Sequence, residues 1–172
     1  MLETVTLPAS LTLVGYNPFI SCVALKAINS RGELGKNCFC YDGVLYQEDP
    51  ENPDLNILVS CPMNIDHYPK IYENTTKIRG SAFVKLKLGL KDEHGILDFP
   101  NLRSIESYAF SNARLGGLHL PSYCGIKEDA FTYMLEIHEI NFGSIAPPPS
   151  LSERDLNTLK SMRFTINCPQ GS

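Results

Sequence analysis

The hexapeptide Ile105-Glu106-Ser107-Tyr108-Ala109-Phe110 returns 21 residues later as Ile126-Lys127-Glu128-Asp129-Ala130-Phe131. Both copies read Ile-x-x-x-Ala-Phe. The link between them contains the alternating run Leu115-Gly-Gly-Leu118-His119-Leu120, which stops at Pro121. The same template fits Ile78-Arg-Gly-Ser-Ala82-Phe83 and, with two replacements, Val14-Gly-Tyr-Asn-Pro18-Phe19. A period in the low twenties cannot close a core within one unit, so each unit must bury its apolar face against its neighbours in a stacked array. Function is then to be sought on the faces of the array.

The unit reads as a short strand, a tight turn with a compact helical or 3₁₀ piece near Ala-Phe, and a return to the next strand. Val5-Thr6-Leu7-Pro8 is the first such strand, closed by a proline that cannot extend the hydrogen-bond ladder. Leu25 and Ile28 follow Phe19 at the same distances as Ile137 and Ile140 follow Phe131, and Leu115 and Leu118 follow Phe110 one residue sooner. Ile, Phe and Leu are predicted to point into the stack, and Ala to sit where a turn leaves no room for more.

The period breaks between Ile28 and Ile78. Tyr41–Tyr46 and Leu55–Pro62 are two β-rich runs joined by Gln47–Asp54, which carries two prolines and four acids. They predict an inserted hairpin over about 41–62 with a solvated acidic tip. A smaller interruption follows Phe83, where Val84–Leu90 alternates and a turn precedes Ile96-Leu97-Asp98-Phe99-Pro100. Near the end, Ser152–Ser161 reads as a helix capped by Ser152, and Phe164–Pro169 as another strand, giving a terminal unit over about 143–172. The whole of 1–172 is expected to form one domain. Its opening inside a repeat strand and its ending in Pro-Gln-Gly-Ser suggest a longer array.

Charge and motif content narrow the chemistry. A formal charge of −4 with 15 Lys plus Arg and no basic run argues against a nucleic-acid partner. No run reaches the length of a membrane span, and Met1–Pro8 lacks the features of a secretory leader. His67, His94, His119 and His138 are scattered, with no nucleophile elbow, metalloprotease helix or phosphate-cradling loop, so no enzyme and no cofactor is expected. The six cysteines are expected to be mainly buried free thiols. A disulfide from Cys38 or Cys40 to Cys61 is the alternative, and a zinc site lacks the second ligand pair it requires. Asn74-Thr75-Thr76 matches a glycosylation acceptor, a pattern too short to carry weight alone.

These repeats resemble the BspA type of leucine-rich repeat, whose units read approximately Leu-x-x-Ile-x-Leu-Pro followed by Val-x-x-Ile-Gly-x-x-Ala-Phe. The Cys that often follows Phe by three residues stands at Cys22 and is replaced by Leu86, Ala113 and Met134 elsewhere. Pro18 replaces the turn alanine in the first copy. The resemblance implies an α/β repeat solenoid with a right-handed superhelix and a parallel sheet face. It also implies a cell-surface or secreted setting, commonly bacterial, and adhesion to a protein or glycan of a host or neighbouring cell. It supplies no catalytic residue.

When the strands are aligned on their closing residue, Thr6, Asn29, Asp98, His119, Asn141 and Asn167 occupy the outward position just before the strand end. Parallel strands about 4.8 Å apart would set them in a polar row, the candidate ligand-binding face. A structural spacer within a longer surface protein is the second expectation.

Overall fold

The computed structural model describes residues 1–88, 95–143, 151–162 and 165–167, and of Ile166 and Asn167 only the backbone. The turn at 91–94, the prolines 147–149 and the strand end at 168–169 lie outside the described residues. In chain order the elements are β1 (Thr4–Leu7), β2 (Ala27–Ser30), β3 (Cys38–Tyr41), β4 (Val44–Asp49), β5 (Asn52–Ser60), β6 (Thr75–Ile78), β7 (Ile96–Asp98), β8 (Ser104–Ile105), β9 (Gly117–Leu120), β10 (Gly125–Ile126), β11 (Glu139–Phe142), α1 (Glu153–Lys160) and β12 (Thr165–Asn167).

Together they wind a solenoid of about six turns, mostly strand. One strand per unit was expected, whereas each full turn holds two. The isoleucines of the repeated motif do not begin the turn but end a second short strand. Ile78 of β6 aligns with Ile105 of β8, and Ile105 with Ile126 of β10, all parallel. A third contact row, two isolated parallel bridges joining Lys87 to Arg114 and Arg114 to Glu136, completes the cross-section.

The Ala-Phe turns hold the units together. Phe83, Phe110 and Phe131 are fully buried and stacked, with centroids 4.9 and 5.3 Å apart and interplanar angles of 1° and 14°. Ala82, Ala109 and Ala130 are likewise inaccessible. The turn is not helical, because its first residue is left-handed: Ser81, Tyr108 and Asp129 have φ of 63°, 61° and 65°. Lys85, Asn112 and Tyr133, two residues past each Phe, are left-handed as well. These reversals aim the Phe amide along the stack, so Phe83 N–H donates to Ala109 C=O at 2.8 Å and Phe110 N–H to Ala130 C=O at 2.9 Å. The Val14–Phe19 copy stands outside this ladder, with Pro18 exposed and Phe19 half-buried. Its Asn17 side chain instead donates to Ser81 C=O at 2.8 Å.

The insert is larger than the expected hairpin. Tyr41–Tyr46 is not one strand: Asp42 and Gly43, with φ of 48° and 80°, make the two-residue turn between β3 and β4, as the right-handed twist of a hairpin favours. β4 then pairs with β5, and the eight-residue acidic tip shrinks to a turn at Pro50-Glu51. Asp49 is buried and lies 3.6 Å from Lys77 Nζ. Nor is the meander a solvated appendage. Phe39, Val44, Tyr46 and Leu58 face the main core, while Cys38, Leu45 and Val59 face a smaller core with Val14, Leu25 and Ile28. Both faces are therefore covered, which explains the unbroken apolar run Val44-Leu45-Tyr46.

Helix α1 packs beside the Phe131 turn. Ser152 caps it and bonds reciprocally with Asp155, whose amide donates to Ser152 Oγ at 3.1 Å. Asp155 is wholly buried, and its Oδ1 accepts the Phe131 amide at 2.9 Å. At Phe83 and Phe110 that amide bonds to the next unit's carbonyl. A carboxylate thus takes the place of that carbonyl.

Cys22, Cys38, Cys40, Cys61 and Cys124 are free thiols, the first and third half-buried and the others buried. Burial raises the pKa of Cys38 and Cys61 and pushes Cys40 up to about 11 and Cys124 up to about 12. Because the thiolate is the nucleophile, Cys38, Cys61 and Cys124 should stay unmodified by iodoacetamide at pH 8 in the folded protein and react fully in guanidinium. Peptide mass spectrometry reads both states, and native labelling of Cys61 within minutes would contradict this burial.

Candidate functional site: the outward face of β1, β2, β7, β9 and β11

Strand pairing brings the six sequence-predicted positions into common register, but in two groups. Thr6 aligns with Asn29 across the β1–β2 pair. Asp98, His119, Asn141 and Asn167 align in turn across β7, β9, β11 and β12. Inward neighbours on the same strands, Leu97, Leu118 and Ile140, are buried, so alternation turns the polar positions outward. Thr6, Asn29 and Asp98 are exposed, and His119 and Asn141 are half-exposed.

The central three lie side by side, and two of them are hydrogen-bonded. Asn141 Nδ2 lies 2.7 Å from His119 Nε2. With the amide donating, Nε2 accepts and the ring proton sits on Nδ1, the nitrogen 3.8 Å from Asp98 Oδ1. That separation is too long for a direct hydrogen bond. The Asp98 side chain is 66% exposed and that of His119 40%.

Two further residues belong to this face and escaped the alignment on strand ends. Glu139 and Gly117 lie two positions earlier, at the same parity, and are partners in register. A Cβ at Gly117 would come within 2.8 Å of Glu139 Cγ, so the glycine is the notch over which the glutamate stem lies. The signal was present in the period-two alternation itself.

A single continuous row was expected, and the face is instead divided between β2 and β7. The dividing segment after Pro62 is not a strand, and Pro69 within it has no amide to give a ladder. Asn64 N–H bonds to Leu25 C=O at 3.0 Å on one side, and Tyr68 Oη accepts Gly116 N–H at 2.8 Å on the other. This segment carries its own charged group. His67 lies between Asp66, 3.0 Å from Nδ1, and Asp42, 3.3 Å from Nε2. The Asp66 hydrogen bond and the Asp42 carboxylate raise its pKa against a smaller opposing effect of burial.

Elsewhere the clusters are structural. Glu136 lies 3.2 Å from Arg114 Nη1 and 3.3 Å from His138 Nε2, on the third contact row. Among the described residues, no three His, Cys, Asp or Glu side chains come together as metal ligands would. No described helix is long and apolar enough to cross a membrane. An open groove of about 690 Å³ lies beside α1, lined by Glu128, Asp129, Ser152, Glu153, Arg154, Asn157 and Thr158.

Stacked two-strand turns with a repeated Ala-Phe reversal define a solenoid repeat protein. The profile of the BspA type leucine rich repeat region matches residues 1–52 and 96–163 in six copies, so the chain belongs to that family. The match skips 53–95, where β5 and the dividing segment interrupt the period, although Ile78–Phe83 within it forms a complete rung. Among solved structures, a leucine rich cell surface protein from Faecalibacterium prausnitzii is similar at 21% identity and a TM-score of 0.44, over 92% of this chain and 50% of that one. The chain thus spans half the length of that protein. A search of curated proteins finds no match.

Proposed function

We propose that this chain is a non-enzymatic binding module that recognises a protein or glycan at a cell surface through the outward face of β7, β9 and β11. The observation that supports it most is the polar row Asp98, His119 and Asn141, aligned in register on strands whose inward residues Leu97, Leu118 and Ile140 are buried in the core, with His119 and Asn141 hydrogen-bonded. A rigid sheet holds side-chain donors and acceptors at fixed spacing, which lowers the ordering cost of binding. Thr6 and Asn29 extend the surface beyond the dividing segment, and Asn167 continues the register at the other side. The family and the surface-protein likeness favour a cell-surface or secreted setting.

A screen of the purified chain against extracellular matrix proteins and a glycan array tests this reading. Saturable binding with Kd below about 50 µM, roughly −6 kcal/mol, is the expected result. Absence of binding at that concentration favours the second reading, a structural spacer of a longer surface protein, for which stacking of units is the whole function.

A further inference from the structure

Two surface tyrosines at the α1 end hold conformations that their burial does not explain. Tyr108 and Tyr133 are both left-handed, a backbone state that bulky side chains rarely adopt. The corresponding positions of other units carry Ser81 and Asp129, or Lys85 and Asn112. Yet Tyr108 is 44% and Tyr133 66% exposed, so neither ring is held there by the core. Tyr108 Oη donates to Asp129 Oδ2 at 3.1 Å, which fixes the ring's direction. Asp129 also receives Arg154 Nη1 at 3.0 and 3.1 Å, and Tyr133 closes the turn that Asp129 opens. Asp129 and Arg154 are at the same time walls of the open 690 Å³ groove beside α1.

We propose that Tyr108 and Tyr133, with the groove walls Asp129, Arg154 and Asn157, form a second binding site that takes a neutral oligosaccharide. An exposed aromatic ring restrained in direction, as that of Tyr108 is, offers a flat apolar platform to the C–H face of a sugar ring, and Tyr133 exposes a second ring on the same turn as Asp129. The groove supplies hydroxyl partners: acceptors on Glu128 and Glu153, and both donors and acceptors on Asn157 and Thr158. Three carboxylates against one guanidinium repel sialylated or sulfated chains, so the site selects uncharged sugars. It lies at the Ala-Phe turns and α1, apart from the strand face proposed above, and stands or falls separately.

The test is ligand-observed NMR and calorimetry of the full chain with neutral gluco-, manno- and xylo-oligosaccharides, their sialylated or sulfated counterparts, and an unrelated peptide. The variant is Tyr108→Asn with Tyr133→Asn, because asparagine accepts the left-handed backbone and removes the ring. Its thermal midpoint, equal to or above that of the wild type, verifies the fold. Binding of a neutral oligosaccharide that falls at least tenfold in this variant and is unchanged in His119→Ala is the expected result. No neutral oligosaccharide bound at millimolar concentration, preference for charged chains or the peptide, or binding indifferent to the tyrosine pair would each overturn the proposal.

Discussion

Phe110→Ala should lower stability by about 3–5 kcal/mol, with a fall in Tm on the order of 10 °C for a domain of this size. Phe110 is the middle ring of the ladder, fully buried and stacked against Phe83 on one side and Phe131 on the other. Truncation leaves a cavity bounded by two rings whose backbones are fixed by inter-unit hydrogen bonds, so collapse is resisted. Both aromatic contacts, each about 0.5–1.5 kcal/mol beyond area burial, disappear together. The matched control is Phe19→Ala, at the same motif position but half-buried and outside the ladder, where roughly 1 kcal/mol is expected. Urea titration of the three proteins checks the ranking. Equal losses for Phe19 and Phe110 would show that the motif, and not the ladder, sets the energy.

The second large effect is at Asp155. Its replacement by Ala should cost about 2–4 kcal/mol, because the buried Phe131 amide loses its acceptor and Ser152 loses half of its reciprocal cap. Asp155→Asn keeps an acceptor at Oδ1 and should cost only about 1 kcal/mol. In a stacked array the damage is local, since each unit leans only on its neighbours. Amide exchange at Phe131 and Thr132 should therefore accelerate in Asp155→Ala, while that at Ile78 and Leu58 changes little. Uniform acceleration along the chain would instead mean that α1 supports the whole fold.

The rungs were legible because the residues that make them are chemically restrictive. Ile, Ala and Phe recur at fixed spacing since only a small residue fits the reversal and only a large one fills the stack, and the fully buried Ile105, Ala109 and Phe110 show that directly. The register of Asp98, His119 and Asn141 was equally readable, because the end of each strand is marked by Phe99-Pro100, Leu120-Pro121 or Phe142-Gly143. The meander was not. Asp42-Gly43 is a strong hairpin turn, but it lies inside a run that reads as one strand, and the unbroken apolar stretch Val44-Leu45-Tyr46 is too short on its own to mark a strand covered on both faces. Asp155 illustrates a second kind of gap. Its role as substitute acceptor depends on which amide the stack leaves unpaired, a property of the last turn that no local pattern around residue 155 encodes. The division of the sheet face follows the same logic, since it comes from a segment that crosses between β2 and β7 rather than from any strand lost in sequence.

The claim that the strand face is the recognition surface is tested most directly by comparing two matched variants against whichever matrix protein or glycan the wild type binds. One carries Asp98→Ala, His119→Ala and Asn141→Ala on the proposed face. The other carries Arg103→Ala and Lys127→Ala, exposed residues flanking β8 and β10. The account predicts at least a tenfold loss of affinity in the first, about 1.4 kcal/mol, and none in the second. Unchanged binding by the strand-face variant, or a loss confined to Arg103 and Lys127, would contradict it.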